Sequence, residues 1–201
     1  MIRSELADSA ELRHRIRRLV SVFRSIAVYM VAHGEDSPES SLHLAGRVGA
    51  IGRAAVAPIA GGMDLESLVL DELLAQGVYR APIMISGPEI CLNAKAAELV
   101  RLAIHELATN AIKFGAFSQS QTQLRVLWWL TEPASSRLHI VWSEDGVRMA
   151  SEARGNPGFG SLVVKRLIAS ELHGRGDMLF LTKGVLCTIE IPSSEAMLQN
   201  D

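Results

Sequence analysis

Only two of the 201 residues are cysteine, aromatic residues make up 5%, and the formal net charge is −2. Cys91 and Cys187 are too few for a disulfide framework and have no metal-ligand spacing. Both fall in apolar, strand-like runs, where inert core positions are expected. The near-neutral balance excludes the overall basic charge of a nucleic-acid binder. No apolar run is long enough to span a membrane, and the opening MIRSELADSAELRHR has no apolar signal region. A soluble cytoplasmic protein is expected, with no nucleic-acid and no membrane partner. Repeats and low-complexity tracts are also lacking. What is present is a hydrophobic content of 48%, enough core for one large domain or two small ones.

The apolar pattern divides the chain into an α+β arrangement. Residues from about Ala7 to Ala32 read as one long helix, because Leu12, Ile16, Leu19, Phe23, Ile26 and Met30 repeat at steps of four and three. Gly34 to Pro38 stops it, and a second helix from about Pro38 to Ala55 carries Leu44, Val48, Ile51 and Ala55. Gly46, Gly49 and Gly52 lie inside that helix, where regular small residues suggest close approach of a neighbour. Two such helices cannot bury both stripes alone, so a homodimeric four-helix bundle is expected. Pro58 to Gly62 reads as a linker. The expected domains are thus 1–60, a helical hairpin, and 61–201, an α/β sandwich.

Within the second domain, Asp64 can cap a helix to about Gln76, and Ile83 to Ser86 reads as a strand. Ala94 to Phe114 reads as a helix. Leu124 to Leu130 and Arg137 to Trp142 are strands, Glu144 to Pro157 a loop, and Gly158 to His173 a helix. Met178 to Thr182 and Val185 to Ile191 form a hairpin around Lys183 and Gly184, and the tail from Ser193 is expected to fray. Helices should cover one face of a mixed sheet.

The most telling stretch is His105 to Gly115, HELATNAIKFG. On a helix, Glu106, Asn110 and Lys113 share one face, while Leu99, Ala103, Leu107 and Ala111 form a separate core stripe. An amide oxygen on a metal ion and an ammonium on phosphates would fill such a polar stripe; a solvated face would satisfy the same pattern. Upstream, His14 lies off the seam, among Arg13, Arg15, Arg17 and Arg18. Its imidazole is a competent nucleophile near neutral pH. Glu11, three residues earlier on the same face, could bond one ring nitrogen and leave the other to attack. Downstream, Trp142-Ser143-Glu144-Asp145-Gly146 ends a strand with a carboxylate and a glycine, a pair that can meet the amino edge of a planar ring. Gly158-Phe159-Gly160-Ser161 opens a helix whose free N–H groups suit phosphate.

In this order, the motifs resemble the HWE family of bacterial sensor histidine kinases, whose signature residues would be His105, Trp142 and Glu144. The likeness runs from about Glu11 to Pro192. It implies a dimerisation and phosphotransfer hairpin followed by a Bergerat-type ATP-binding sandwich, with ATP and Mg²⁺ as cofactors and a response-regulator receiver domain as partner. Residue by residue, it makes His14 the phosphoacceptor, Asn110 the Mg²⁺ ligand, Glu106 a catalytic group and Lys113 a phosphate contact. Glu144 would meet adenine, with Gly146 beneath the ring. Gly158, Phe159 and Gly160 would form the lid edge, and His105 and Trp142 complete the nucleotide site. The chain departs from the family at Arg18, where asparagine is usual, at Val147 and Arg148, where glycine and proline are usual, and at Phe114 for tyrosine. Val147 is expected to narrow the nucleotide mouth. Too few residues precede His14 for a sensing domain, so input is expected from a separate sensor protein or from a part left out of this chain. The alternative is a phosphotransfer protein with a vestigial nucleotide site.

Overall fold

A computed structural model describes residues 62–78, 82–131, 136–148 and 159–198, together with single helical positions at Ile16, Val20, Ala45, Gly46, Val48 and Gly49. The chain divides into two compact units, Met1–Ala45 and Gly46–Asp201. In the first, Ile16, Val20 and Ala45 are described, and all three are exposed. His14, Glu11 and most of the two expected helices lie outside the described residues.

The second unit opens with strand β1 (Met63–Asp64) and helix α1 (Leu65–Ala75). The carboxylate of Asp64 accepts the Ser67 N–H at 2.8 Å, the cap expected from sequence. Strands β2 (Ile83–Ser86) and β3 (Cys91–Leu92) lead to the twenty-residue helix α2 (Ala94–Lys113). Strands β4 (Gln123–Leu130) and β5 (Arg137–Asp145) follow. Helix α3 is composite: α-helical Phe159–Leu162, π-helical Val163–Leu167, then α-helical Ile168–Leu172. The hairpin of β6 (Arg175–Leu181) and β7 (Gly184–Pro192) precedes a short helix α4 (Ser193–Ala196).

Five strands form one sheet in the order β2-β4-β5-β7-β6, with β2 parallel to β4 and every other pairing antiparallel. The expected mixed sheet with helices on one face is borne out. Alternation explains it: Leu124, Val126, Trp128, Leu138, Ile140, Trp142, Cys187 and Ile189 all point to the buried face. On the other face Trp129 stacks on His139 at 5.2 Å, beside partly exposed neighbours.

Four expectations need correction. β5 continues through Asp145, because Glu144 and Asp145 pair with Leu124 and Gln123; their charge made them read as loop. The tail does not fray at Ser193. The side-chain amide of Asn93 donates to the Glu195 carbonyl at 2.7 Å, and Met197 bridges to Leu92. Cys91 is exposed, whereas Cys187 is buried as expected. Burial pushes the Cys187 thiol up to about 12, which makes it inert. Finally, the hairpin turns on Thr182 and Lys183, with Gly184 already in β7.

Candidate functional site

Helix α2 is buried on nearly every side. The stripe Leu99, Ala103, Leu107 and Ala111 is in the core, as its spacing predicts. On the polar stripe, Glu106 is 5% exposed, whereas Asn110 and Lys113 reach solvent. Gly160, in the first turn of α3, lies against this face. A Cβ there would stand 3.1 Å from Glu106 Cβ and 3.4 Å from Asn110 Nδ2, tighter than an ordinary side-chain contact. The structure therefore brings Glu106, Asn110 and Gly160 together, with buried Phe159 next to them. Gly158 and the loop before it lie outside the described residues.

Glu144 closes the C-terminal end of α2. Its side chain is 3% exposed, and each carboxylate oxygen accepts one bond: from Trp142 Nε1–H at 2.9 Å and from the Ala116 N–H at 2.7 Å. Burial raises its pKa from the ordinary 4.5, against the lowering pull of these two hydrogen bonds. Gly115 makes room for the carboxylate, since a Cβ there would overlap Glu144 Oε2 and come within 2.8 Å of Ala111 Cα. Thr122 Oγ1 donates to the Ala116 carbonyl, which fixes the same turn from the other side.

The strand end beyond Glu144 is equally fixed. Gly146 has φ +81°, and a Cβ there would approach the Gln121 carbonyl at 2.6 Å, so glycine is required on backbone grounds. The Gln119 side chain grips Arg148 on both sides, accepting its N–H at 3.0 Å and donating to its carbonyl at 3.2 Å. Val147, expected to narrow an open mouth, is instead fully buried, and its N–H donates to the Lys183 carbonyl at 3.1 Å.

His105 and Trp142 are both buried against protein. His105 Nδ1 lies 2.7 Å from Glu72 Oε1 on α1, and the Gln76 amide, one turn along α1, lies 2.7 Å from the same nitrogen. Glu72 Oε2 also stands 3.5 Å from Arg101 Nη1. Reading the sequence missed Glu72, Arg101, Gln119 and Thr122. Glu72 looks no different in the sequence from its exposed neighbours Glu66 and Asp71.

The side chains that are present suit a metal-nucleotide. Among the described residues, no group of three or more His, Cys, Asp or Glu converges on a metal position. A Mg²⁺ ion held here would take most of its oxygen ligands from phosphates and water, and Asn110 is an adequate protein ligand for that arrangement.

No model of a protein family matches the chain. Blue-light-activated histidine kinases do match it. The chain is 29% identical over 192 residues to one from Erythrobacter litoralis, covering 92% of this chain and 52% of that protein. It is 28% identical over 187 residues to one from Rhizobium johnstonii, with the same coverage. The chain thus spans about half the length of the relatives it matches. Among solved structures, the histidine kinase domain of the Erythrobacter litoralis protein superposes with a TM-score of 0.60 at 18% identity, covering 92% of this chain and 91% of that one. The fold is that of a histidine kinase domain, and the resemblance drawn from the motifs is borne out. Among the described residues, no helix is long and apolar enough to cross a membrane.

Proposed function

We propose that this relative of the HWE-type histidine kinases autophosphorylates His14 from Mg-ATP and passes the phosphoryl group to an aspartate of a response-regulator receiver domain. The observation that carries the nucleotide half of this reading is the wall formed by Glu106 and Asn110 against side-chain-free Gly160. Bound Mg²⁺ supplies neutralisation of phosphate charge. The chain does the remainder by positioning. Asn110 presents its amide oxygen as a ligand. Lys113, one turn on, supplies an ammonium for phosphate. Glu106 orients a metal-held water or takes the proton released at the acceptor. Each oxygen of Glu144 keeps one lone pair, which can accept from the adenine amino group, with Gly146 beneath the ring. The lone pair of the His14 imidazole forms the new P–N bond as the γ-phosphorus–bridging-oxygen bond breaks, and ADP leaves with the electron pair of that broken bond. Glu11 holds the second ring nitrogen. The arginines around His14 favour an acidic receiver pocket, with salt-dependent association.

Labelled ATP tests the reading. An acid-labile label is expected on the wild type and none on His14→Ala, with Mg²⁺-dependent ATP binding lost in Asn110→Ala. Label that survives in His14→Ala would overturn it. One observation favours the second reading, an ATP-independent transfer protein: both Glu144 oxygens already hold a protein donor. Phosphoryl transfer to and from His14 in a chain that binds no Mg-ATP would decide for it.

A further inference from the structure

The polar cluster behind the candidate wall is not used by the chemistry just described. Glu72 is fully buried, His105 is 4% exposed and Arg101 is 3% exposed. All three lie between α1 and α2. Burying an ion pair rarely adds stability over an apolar contact of similar size, so packing alone does not explain the cluster.

Its hydrogen-bond logic is restrictive. A carboxylate only accepts, and Glu72 Oε1 lies 2.7 Å from His105 Nδ1. Nδ1 therefore carries the hydrogen, whatever the state of Nε2. The structure places Gln76 Nε2 at 2.7 Å from the same nitrogen, and a protonated Nδ1 has nothing to accept with, so this reading requires the amide turned over to present its oxygen; amide orientation is set by such partners. On the other edge of the imidazole, a Cβ at Gly46 would come within 2.9 Å of Nε2 and 3.1 Å of Cε1. The ring is hydrogen-bonded at Nδ1 and closely packed by Gly46 on its Nε2 edge. Glu106 is the next residue, about 100° around the helix. A ring that cannot turn fixes the rotation of α2 about its axis, and with it the distances from Glu106 and Asn110 to Gly160.

We infer that Glu72 and His105 are positioning residues: the Glu72 carboxylate holds His105 in its Nδ1–H tautomer, and this bond sets the rotation of α2 that places Glu106 and Asn110 against Gly160. The inference deepens the nucleotide reading and rests on it for the consequence in ATP binding, although the placement of the wall can be read without nucleotide.

The experiment uses the full chain, labelled with ¹⁵N. In the wild type, ring-nitrogen correlations should show His105 protonated at Nδ1; an Nε2–H tautomer would overturn the proposal without any variant. His105→Asn keeps an N–H close to the position of Nδ1, and His105→Leu does not. The Gly160 amide and Asn110 side-chain signals should stay in place in His105→Asn and move in His105→Leu. Mg-ATP affinity should fall at least about tenfold further in His105→Leu than in His105→Asn, roughly the span between a kept and a lost buried hydrogen bond. Unmoved Gly160 and Asn110 signals in folded His105→Leu would reduce the cluster to packing. If His105→Leu does not fold, Glu72→Gln, which keeps the acceptor but loses the charge, should preserve the tautomer; loss of the Nδ1–H form there would also overturn the proposal. If the wild type binds no Mg-ATP, the nucleotide reading fails while the tautomer and Gly160 signals still decide this one.

Discussion

Glu72 and Glu144 are two carboxylates sealed against the same helix, and they are kept there by different means. Glu72 faces an arginine and a histidine, so its negative charge is matched by ionic or ionisable partners. Glu144 faces two neutral N–H groups, one from an indole and one from the backbone, and burial raises its pKa. The first arrangement suits a fixed anchor. The second holds a carboxylate whose protonation can change, at the edge of the candidate site. A carboxylate buried against α2 thus has one use in the α1–α2 seam and another at the α2–β5 junction.

The sharpest way to break this comparison is to make the same isosteric change at both positions. Glu72→Gln should cost about 3 kcal/mol, because it strands buried Arg101, and urea denaturation would measure the loss. A cost below about 1 kcal/mol would mean that Arg101 has other means of compensation and that the two seams are alike. Gly115→Ala comes next. Its Cβ would overlap the Glu144 carboxylate, and overpacking of this kind costs about 1–3 kcal/mol, with a matching fall in thermal midpoint.

Glu144→Gln sharpens the difference through pH. The folded pKa of Glu144 is raised, so the native state holds a proton more readily than the unfolded chain. The stability contributed by this group is fully present below its ordinary 4.5 and is lost as pH rises through the raised native value. Glu144→Gln should remove that dependence and lose about 1 kcal/mol at acid pH, since its NH₂ faces one of the two donors. A wild-type stability that rises with pH across the same window would contradict the assignment of burial as the dominant cause. The smallest effect is expected from Gln119→Ala. Its bonds to Arg148 are exposed, so the stability change should stay under about 1 kcal/mol. The Arg148 amide should nevertheless exchange faster with solvent.

The comparison also shows where sequence is informative. α2 and its polar stripe were legible because twenty residues of helical period leave little ambiguity, and GFGS marked the start of α3. The strand β2 was read at its observed ends because Ile83 to Ser86 is framed by proline and glycine. The ionic seam was not legible: His105 stands in a recognisable motif, but its partner Glu72 sits in an ordinary acidic helix more than thirty residues earlier, and pairing across that separation leaves no local trace. The Gln119 clamp and the Thr122 contact escaped for a similar reason, since side-chain to backbone bonds in a turn follow no period. Val147 misled because a hydrophobic residue in place of glycine reads as an obstruction, whereas β5 and the β6–β7 turn provide a buried place for it.

The π-helical turn at Val163–Leu167 has a further consequence. Such a turn is, in effect, an α-helix carrying one extra residue. The carbonyl it displaces at Val164 points at Gly176 of β6, where any side chain would collide with it. The wider turn absorbs the extra residue, so Gly160 faces as it would on an uninterrupted α-helix one residue shorter. Deleting one residue within 163–167 should let the turn close as α-helix, keep the core contacts from Ile168 onward and leave Gly160 on the face of Asn110. One residue added there with no second wide turn to absorb it would swing Gly160 by about 100°. The π turn is thus a place where the length of α3 can change by one residue without turning the candidate phosphate wall.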